Sequence, residues 1–219
     1  MTTRAPLLAL ALSALMLAPA ASAQETATTD APATAAPARE TGDLVLGNAD
    51  APLTFIEYAS FTCVHCANFH QNVFPQLKAE YIDTGKIRFI QRDVYFDAVG
   101  LWAGILARCE PSRFYTVGGM IMAEQGDWLR PNASGEELAE GLRKIGLRAG
   151  MDGGVIQACW DDRDFVEQLV GVFQANAKAD NVEATPSFVI GGDKVPNQSW
   201  DSLKDLIDAK LAKAEGAAQ

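Results

Sequence analysis

The sequence predicts an α/β fold interrupted by an inserted α-helical domain. Three observations lead there. A strand-like run, Leu53 to Ala59, passes straight into a C-x-x-C pair and an amphipathic helix. After a second strand-like run, Lys86 to Val94, roughly ninety residues follow without a convincing strand, far too many for a loop but well suited to helices. The α/β pattern finally returns at Pro186 to Ile190.

Taken in order, the chain opens with Arg4, the apolar run Leu7 to Leu17 and the small residues Ala21-Ser22-Ala23. That arrangement predicts a secretory signal over residues 1–23, cut after Ala23. The run is short for a bilayer span, and no other stretch reaches about 18 uninterrupted apolar residues. A soluble exported protein in an oxidising compartment is therefore expected. Residues 24–41 are mainly Ala, Thr and Pro. Such a segment buries too little apolar surface to offset its ordering entropy, so it reads as a flexible tether. The remainder is long enough for a sizeable core. The formal charge of −10 becomes more negative once Arg4 is removed, and no basic stripe survives. That balance argues against nucleic acid and anionic membrane surfaces as partners.

The α/β part takes residues 42–96 and 180–219, and the helical part residues 97–179. Within the first, Leu53 to Ala59 is β-prone and apolar apart from Glu57. The helix after the cysteines repeats Phe69, Val73, Leu77 and Tyr81 at steps of four, with Pro75 inside the pattern and expected to kink it. Lys86 to Val94 reads as a second strand. In the helical part the signals are the apolar stretch Ala98 to Ala107, a capping box at Ser134 and Glu137 ahead of Leu138, Leu142 and Ile145, and a face of Phe165, Val166, Leu169 and Phe173. A turn at Gly191-Gly192 and a closing helix at about Trp200 to Ala214, carrying Leu203, Leu206, Ile207 and Leu211, complete the chain. There is no internal repeat.

A C-x-x-C pair between a strand and a helix places the first sulfur at the helix N-terminus. There, unpaired backbone N–H groups and the helix dipole favour thiolate over thiol. Cys63 is thus the attacking, solvent-facing sulfur and Cys66 the resolving one. A structural disulfide or half of a zinc site are the alternatives. Zinc, however, would want a second close ligand pair. Cys109 and Cys159 stand fifty positions apart, and His70 alone completes no set, so no metal is expected.

The run Phe55-Ile56-Glu57-Tyr58 through Cys63-Val64-His65-Cys66-Ala67-Asn68-Phe69-His70, together with Glu183-Ala184-Thr185-Pro186-Ser187-Phe188-Val189-Ile190-Gly191-Gly192, resembles the DsbA family of bacterial periplasmic disulfide oxidases. The resemblance covers the whole chain after the tether and implies a thioredoxin-like fold with a helical insertion. It implies that Cys63 forms a mixed disulfide with a substrate thiolate, and that the Cys63–Cys66 disulfide is itself the oxidising equivalent, with no separate cofactor. Implied substrates are unfolded or folding exported proteins with free thiols. A DsbB-type membrane oxidase is the implied reoxidant, and a monomer is expected because the catalytic surface must stay open.

Other residues acquire roles from the same resemblance. His65 would donate a hydrogen bond or positive charge to the Cys63 sulfur. Val64 stands where the family most often has Pro, which bears on the stiffness of the loop. Pro186 would face the cysteines in a cis peptide with Thr185, turning the Thr185 backbone toward a substrate segment that adds as a strand. Glu57 resembles the buried acid of thioredoxin-like proteins, which would relay a proton to Cys66; the alternative is an ordinary solvent-facing strand residue. His70 is assigned to surface or packing. Cys109 and Cys159 are expected to form a structural disulfide between two insertion helices, since free thiols are a liability beside an oxidant. The alternative there is two buried reduced cysteines. For the chain as a whole, a disulfide isomerase or reductase on the same atoms, or a non-catalytic binding or chaperone module, are the competing functions.

Overall fold

The computed structural model describes residues 39–217. The expected signal peptide, and the tether up to residue 38, lie outside the described residues. Five strands, β1 (Val45–Gly47), β2 (Leu53–Ala59), β3 (Ile87–Asp93), β4 (Ser187–Ile190) and β5 (Asp193–Pro196), form one sheet in the order β1-β3-β2-β4-β5. The β2–β3 pair is parallel and the others are antiparallel. β2 therefore runs through the middle with both edges paired and most of its side chains buried, which explains why it reads as a nearly continuous apolar run.

Past β2 the chain enters α1 (Val64–Asn72), α2 (Phe74–Leu77) and a single π turn, Lys78–Ile82. The sequence pattern suggested one kinked helix here; the structure divides it. Pro75 has no N–H to give, and the backbone bonds around it run from Val73 N to Phe69 O and from Gln76 N to Val73 O. Phe69, Leu77 and Tyr81 nevertheless stay on the sheet side, packed with Leu53, Phe55, Phe89 and Phe188.

Between β3 and β4 the described chain is helical: α3 (Ala98–Arg108), α4 (Phe114–Ala123), α5 (Gln125–Trp128), α6 (Gly135–Arg148), α7 (Gly153–Asp161) and α8 (Arg163–Ala179). Side chains cap four of these starts. Asp97, Asp152 and Asp162 accept from N-terminal amides of α3, α7 and α8, and Ser134 with Glu137 makes the full capping box of α6. Leu106, Val117, Ile121, Leu142, Ile145 and Ile156 bury together in a core of their own. Gly146 lets α6 approach closely, since a Cβ there would stand 2.8 Å from Ile156 and 2.9 Å from Leu106. The helical core also takes in Phe61, Cys66 and Ala67, so the cysteine helix lies between both cores.

α9 (Trp200–Ala217) closes the structure, placing Leu203, Ile207 and Leu211 against the sheet. Two strands escaped the sequence reading. β1 is only three residues long, and β5 buries Val195 alone among exposed neighbours. The turn between β4 and β5 was legible because Gly191 and Gly192 take φ values of +59° and +87°.

Two buried ties connect the parts. The ion pair between Asp93 at the end of β3 and Arg108 at the end of α3 is nearly inaccessible to solvent. Arg108 also donates to the carbonyls of Gly42 and Gln91. The second tie is a disulfide between Cys109, just past α3, and Cys159 in α7, with a Cα–Cα distance of 5.7 Å. Closing a 50-residue separation restricts the unfolded chain by about 4 kcal/mol in the chain-entropy account. The Cys109→Ser/Cys159→Ser variant should accordingly lose about 4 kcal/mol in urea unfolding while keeping its helical circular dichroism. An unchanged unfolding midpoint would show that the bond does not constrain the chain.

Candidate active site

β2 ends at Ala59, and the turn Ser60–Thr62 delivers the chain to Cys63, the N-cap of α1. The turn is fixed from several sides. Cys63 N donates to Ser60 O at 3.1 Å. The Ser60 and Thr62 hydroxyls are 3.1 Å apart, and Thr62 Oγ1 donates to Asp97 Oδ2 at 2.7 Å. From the helical part, Gln125 Nε2 donates to Phe61 O at 2.8 Å and to Cys63 O at 3.1 Å. No side chain caps α1. Its first amides are consequently free to point at the Cys63 sulfur.

The two sulfurs sit in opposite surroundings. Cys63 is partly exposed and Cys66 fully buried. Cys63 Sγ donates to Thr185 O at 3.4 Å, and the Thr185–Pro186 peptide is cis. Burial pushes the Cys63 thiol up. The Thr185 side chain, the Cys66 backbone and thiol, and the His65 backbone N–H outweigh that push and bring it below the ordinary thiol value. The neighbouring sulfur goes the other way: burial first, then the charges of Glu57 and Cys63, push Cys66 far above the ordinary thiol range. His65 bears on the Cys63 sulfur through its backbone N–H, and its imidazole is exposed.

Glu57 faces inward on β2, with Gln91 and Phe188 as its register partners on β3 and β4. Its side chain is 0% exposed, which removes the solvent-facing alternative, and Oε2 lies 2.9 Å from Nε2 of His70. Oε1 has no hydrogen-bond partner in the protein. His70, assigned to surface or packing from the sequence, is 7% exposed at its side chain and bonded to this acid. Its position four residues after Cys66 on the same helix face was the signal that could have found it. Gln125 carried no such signal, because it reaches the loop across 64 residues of sequence.

The structure thus brings Cys63, Cys66, Thr185 and Pro186 together, with Glu57 behind Cys66 and with Val64 and His65 exposed on the rim. Cys109 and Cys159 lie elsewhere, inside the helical part. Chemically, a stabilised outer thiolate beside a buried inner thiol, backed by a carboxyl–imidazole pair, is equipped for thiol–disulfide exchange with proton transfer at the inner sulfur. Among the described residues no group of three or more His, Cys, Asp or Glu could hold a metal ion. None of the described helices is long and apolar enough to cross a membrane.

The thioredoxin family model matches residues 39–209. A Rickettsia bellii protein provisionally named a protein-disulfide oxidoreductase is 34% identical over 175 residues, covering 79% of this chain and 66% of that protein. Disulfide bond formation protein D of Bacillus subtilis is 27% identical, covering 78% of each chain. Among solved structures, Wolbachia pipientis alpha-DsbA1 superposes with a TM-score of 0.73 at 27% identity, covering 81% of this chain and 95% of that one. The chain spans between 61% and 66% of the length of the rickettsial relatives it matches.

The contrast between the sulfurs is directly measurable. In the reduced protein, limiting iodoacetamide should modify Cys63 and leave Cys66 untouched. The rate should follow the thiolate, with its midpoint below the value of about 8.5 for a free cysteine. A midpoint at or above that of a free cysteine peptide would mean that the helix N-terminus and Thr185 do not stabilise the thiolate.

Proposed function

The chain belongs to the DsbA family of thioredoxin-fold proteins, and from that premise we propose that it is a thiol:disulfide oxidoreductase that introduces disulfide bonds into other proteins. The observation that carries this reading is the opposed poise of Cys63 and Cys66. In the oxidised protein the two form a disulfide. A client thiolate attacks Cys63 Sγ, the sulfur–sulfur bond breaks, and its electron pair goes to Cys66, which takes up a proton. A second client thiolate then attacks the client sulfur of the mixed disulfide and expels Cys63 as a thiolate. The client leaves with a disulfide and the protein with two reduced cysteines.

The direction follows from the thiolate. A Cys63 that is comfortable as an anion is a good leaving group and a reluctant attacker, so the mixed disulfide resolves toward an oxidised client. Thr185 supports client binding. With Pro186 it lies against Cys63, where its backbone is available to pair with an extended client segment. Val64 is 65% exposed beside the attacking sulfur and supplies an apolar contact for the client.

The clients in this reading are exported proteins that arrive unfolded with free thiols, and the compartment is the periplasm. That placement rests on the apolar N-terminal run, on the acidic mature chain without a basic patch, and on the family. Reoxidation of the reduced pair requires an external electron acceptor, which the family assigns to a DsbB-type membrane oxidase. We read the protein as a monomer and the Cys63–Cys66 disulfide as its own redox group.

Oxidative refolding of a reduced client with glutathione disulfide as terminal oxidant tests the reading. Cys63→Ser should lose all measurable catalysis, whereas Cys66→Ser should accumulate a mixed disulfide on Cys63, seen as a gel-shifted adduct that collapses on reduction. Catalysis retained by both variants would place the active centre elsewhere.

A further inference from the structure

Behind the cysteines lies a second titratable layer. Cys66 must gain a proton when the disulfide opens and lose it when the disulfide reforms, yet it is fully buried. Glu57 is also fully buried and cannot exchange that proton with solvent by itself. Neither flanking strand gives Glu57 a cation, since its register partners are Gln91 and Phe188. Among the described residues the one group hydrogen-bonded to its carboxylate is His70.

His70 reaches further out than Glu57. Its ring packs at 5.7 Å from Phe69 and 5.0 Å from Phe74. It also lines a partly enclosed cavity of about 110 Å³ with Gln71, Phe74, Gln91, Tyr115 and Ala123. Such a volume, with amide and phenol groups on its wall, admits water. The chain contains two histidines; the other, His65, stands exposed on the rim by Cys63.

We propose that His70 is a positioning and proton-handling residue of this site, holding Glu57 behind Cys66 and passing the proton between that carboxyl and the cavity beside α4. The inference deepens the oxidoreductase reading and rests on it. In the resting state the Glu57–His70 pair carries one proton. As a client thiolate attacks Cys63 and the electron pair moves to Cys66, that proton goes through Glu57 to the Cys66 sulfur. The pair is left as carboxylate and neutral imidazole, and His70 then takes a proton from water in the cavity. On reoxidation the same proton leaves by the same route.

Other charged or titratable groups around the pair do not offer this path. From α1 the neighbours are Cys66 and, nearer solvent, Cys63. β2 contributes Glu57 itself. From α4, Tyr115 is engaged with the carbonyls of Leu44 and Phe89 and accepts from Gln91 N; burial raises its hydroxyl out of reach of neutral pH. Farther away, Asp93 and Arg108 compensate each other. β4 presents Phe188 and α2 presents Phe74, neither of which titrates.

The test measures transfer of the Cys63–Cys66 disulfide from the oxidised protein to a reduced two-cysteine peptide between about pH 5 and pH 8, the range in which imidazole changes charge. The ratio of variant to wild-type rate cancels the titration of the peptide thiols. His70→Gln keeps a donor for Glu57 but carries no exchangeable charge. Its ratio should lie at about one tenth or below at the acid end, where an imidazole carries its proton, and rise toward one at the upper end, where the wild-type pair has lost that proton too, since proton transfer contributes about 10²-fold or more in such steps. A ratio that is flat with pH would overturn the relay.

His70→Ala supplies an independent arm. Added imidazole should restore its rate, whereas pyrazole, a ring of the same size but too weakly basic to carry a proton at neutral pH, should not. Equal rescue by both rings, or by neither, would make His70 a packing residue. If the wild-type protein itself passed no disulfide to the peptide, the oxidoreductase reading would fall and the relay with it; wild-type transfer with a flat ratio removes the relay alone.

Discussion

Two identical thiols three positions apart have to behave as chemical opposites, and the rest of the structure answers to that constraint. Helical geometry begins the separation. Cys63 occupies the N-cap, outside the helix proper, and Cys66 the first turn. Packing completes it, because Cys66 enters the core shared with the helical part while Cys63 stays at the solvent edge. The free amides of the first turn then stabilise charge at the outer sulfur, whereas burial and the Glu57 carboxylate oppose charge at the inner one. Neither effect needs an unusual residue; both need the strand, the turn and the helix to be held in one place.

The sheet and the helical part share that holding role. β2, paired on both edges, fixes where the turn begins, and Gln125 grips the turn's carbonyls from α5. Asp97 serves twice, capping α3 through Gly100 N and accepting from Thr62. Thermodynamics ties this geometry to stability. A thiol whose folded pKa lies below its unfolded value stabilises the reduced fold fully above the unfolded pKa, and the contribution disappears as pH falls through the folded value. Each unit of that difference is worth about 1.4 kcal/mol. The reduced protein therefore gains, above the unfolded thiol value, what the oxidised protein cannot, and a gain of that sign shifts the couple in the oxidising direction.

Much of this was legible in the sequence where the signal was local. The cysteine spacing after a strand, the capping box at Ser134 and Glu137, and the glycine pair at 191–192 each depend on neighbours within a few positions, and each lies where the local chemistry pointed. What the sequence hid was long-range or short-lived as a pattern. β1 and β5 are too brief for periodicity to register. Pro75 promised a kink, and the chain instead divides into α1, α2 and a π turn, since Pro75 has no N–H to continue the helical ladder. Gln125 gave no local sign of its grip on the cysteine turn. His70 was set aside although its spacing from Cys66 placed both on one face; only the burial of Glu57 across from it gives that spacing meaning.

Stabilising the Cys63 thiolate should make the reduced form the favoured one. The equilibrium of the Cys63–Cys66 couple against a graded glutathione buffer at neutral pH measures that directly, with the two states read by alkylation. The potential should be more oxidising than about −200 mV, toward the end occupied by disulfide-donating proteins. A value of about −270 mV, where dedicated reductants lie, would mean that the Cys63 thiolate is not stabilised enough to make the protein a disulfide donor.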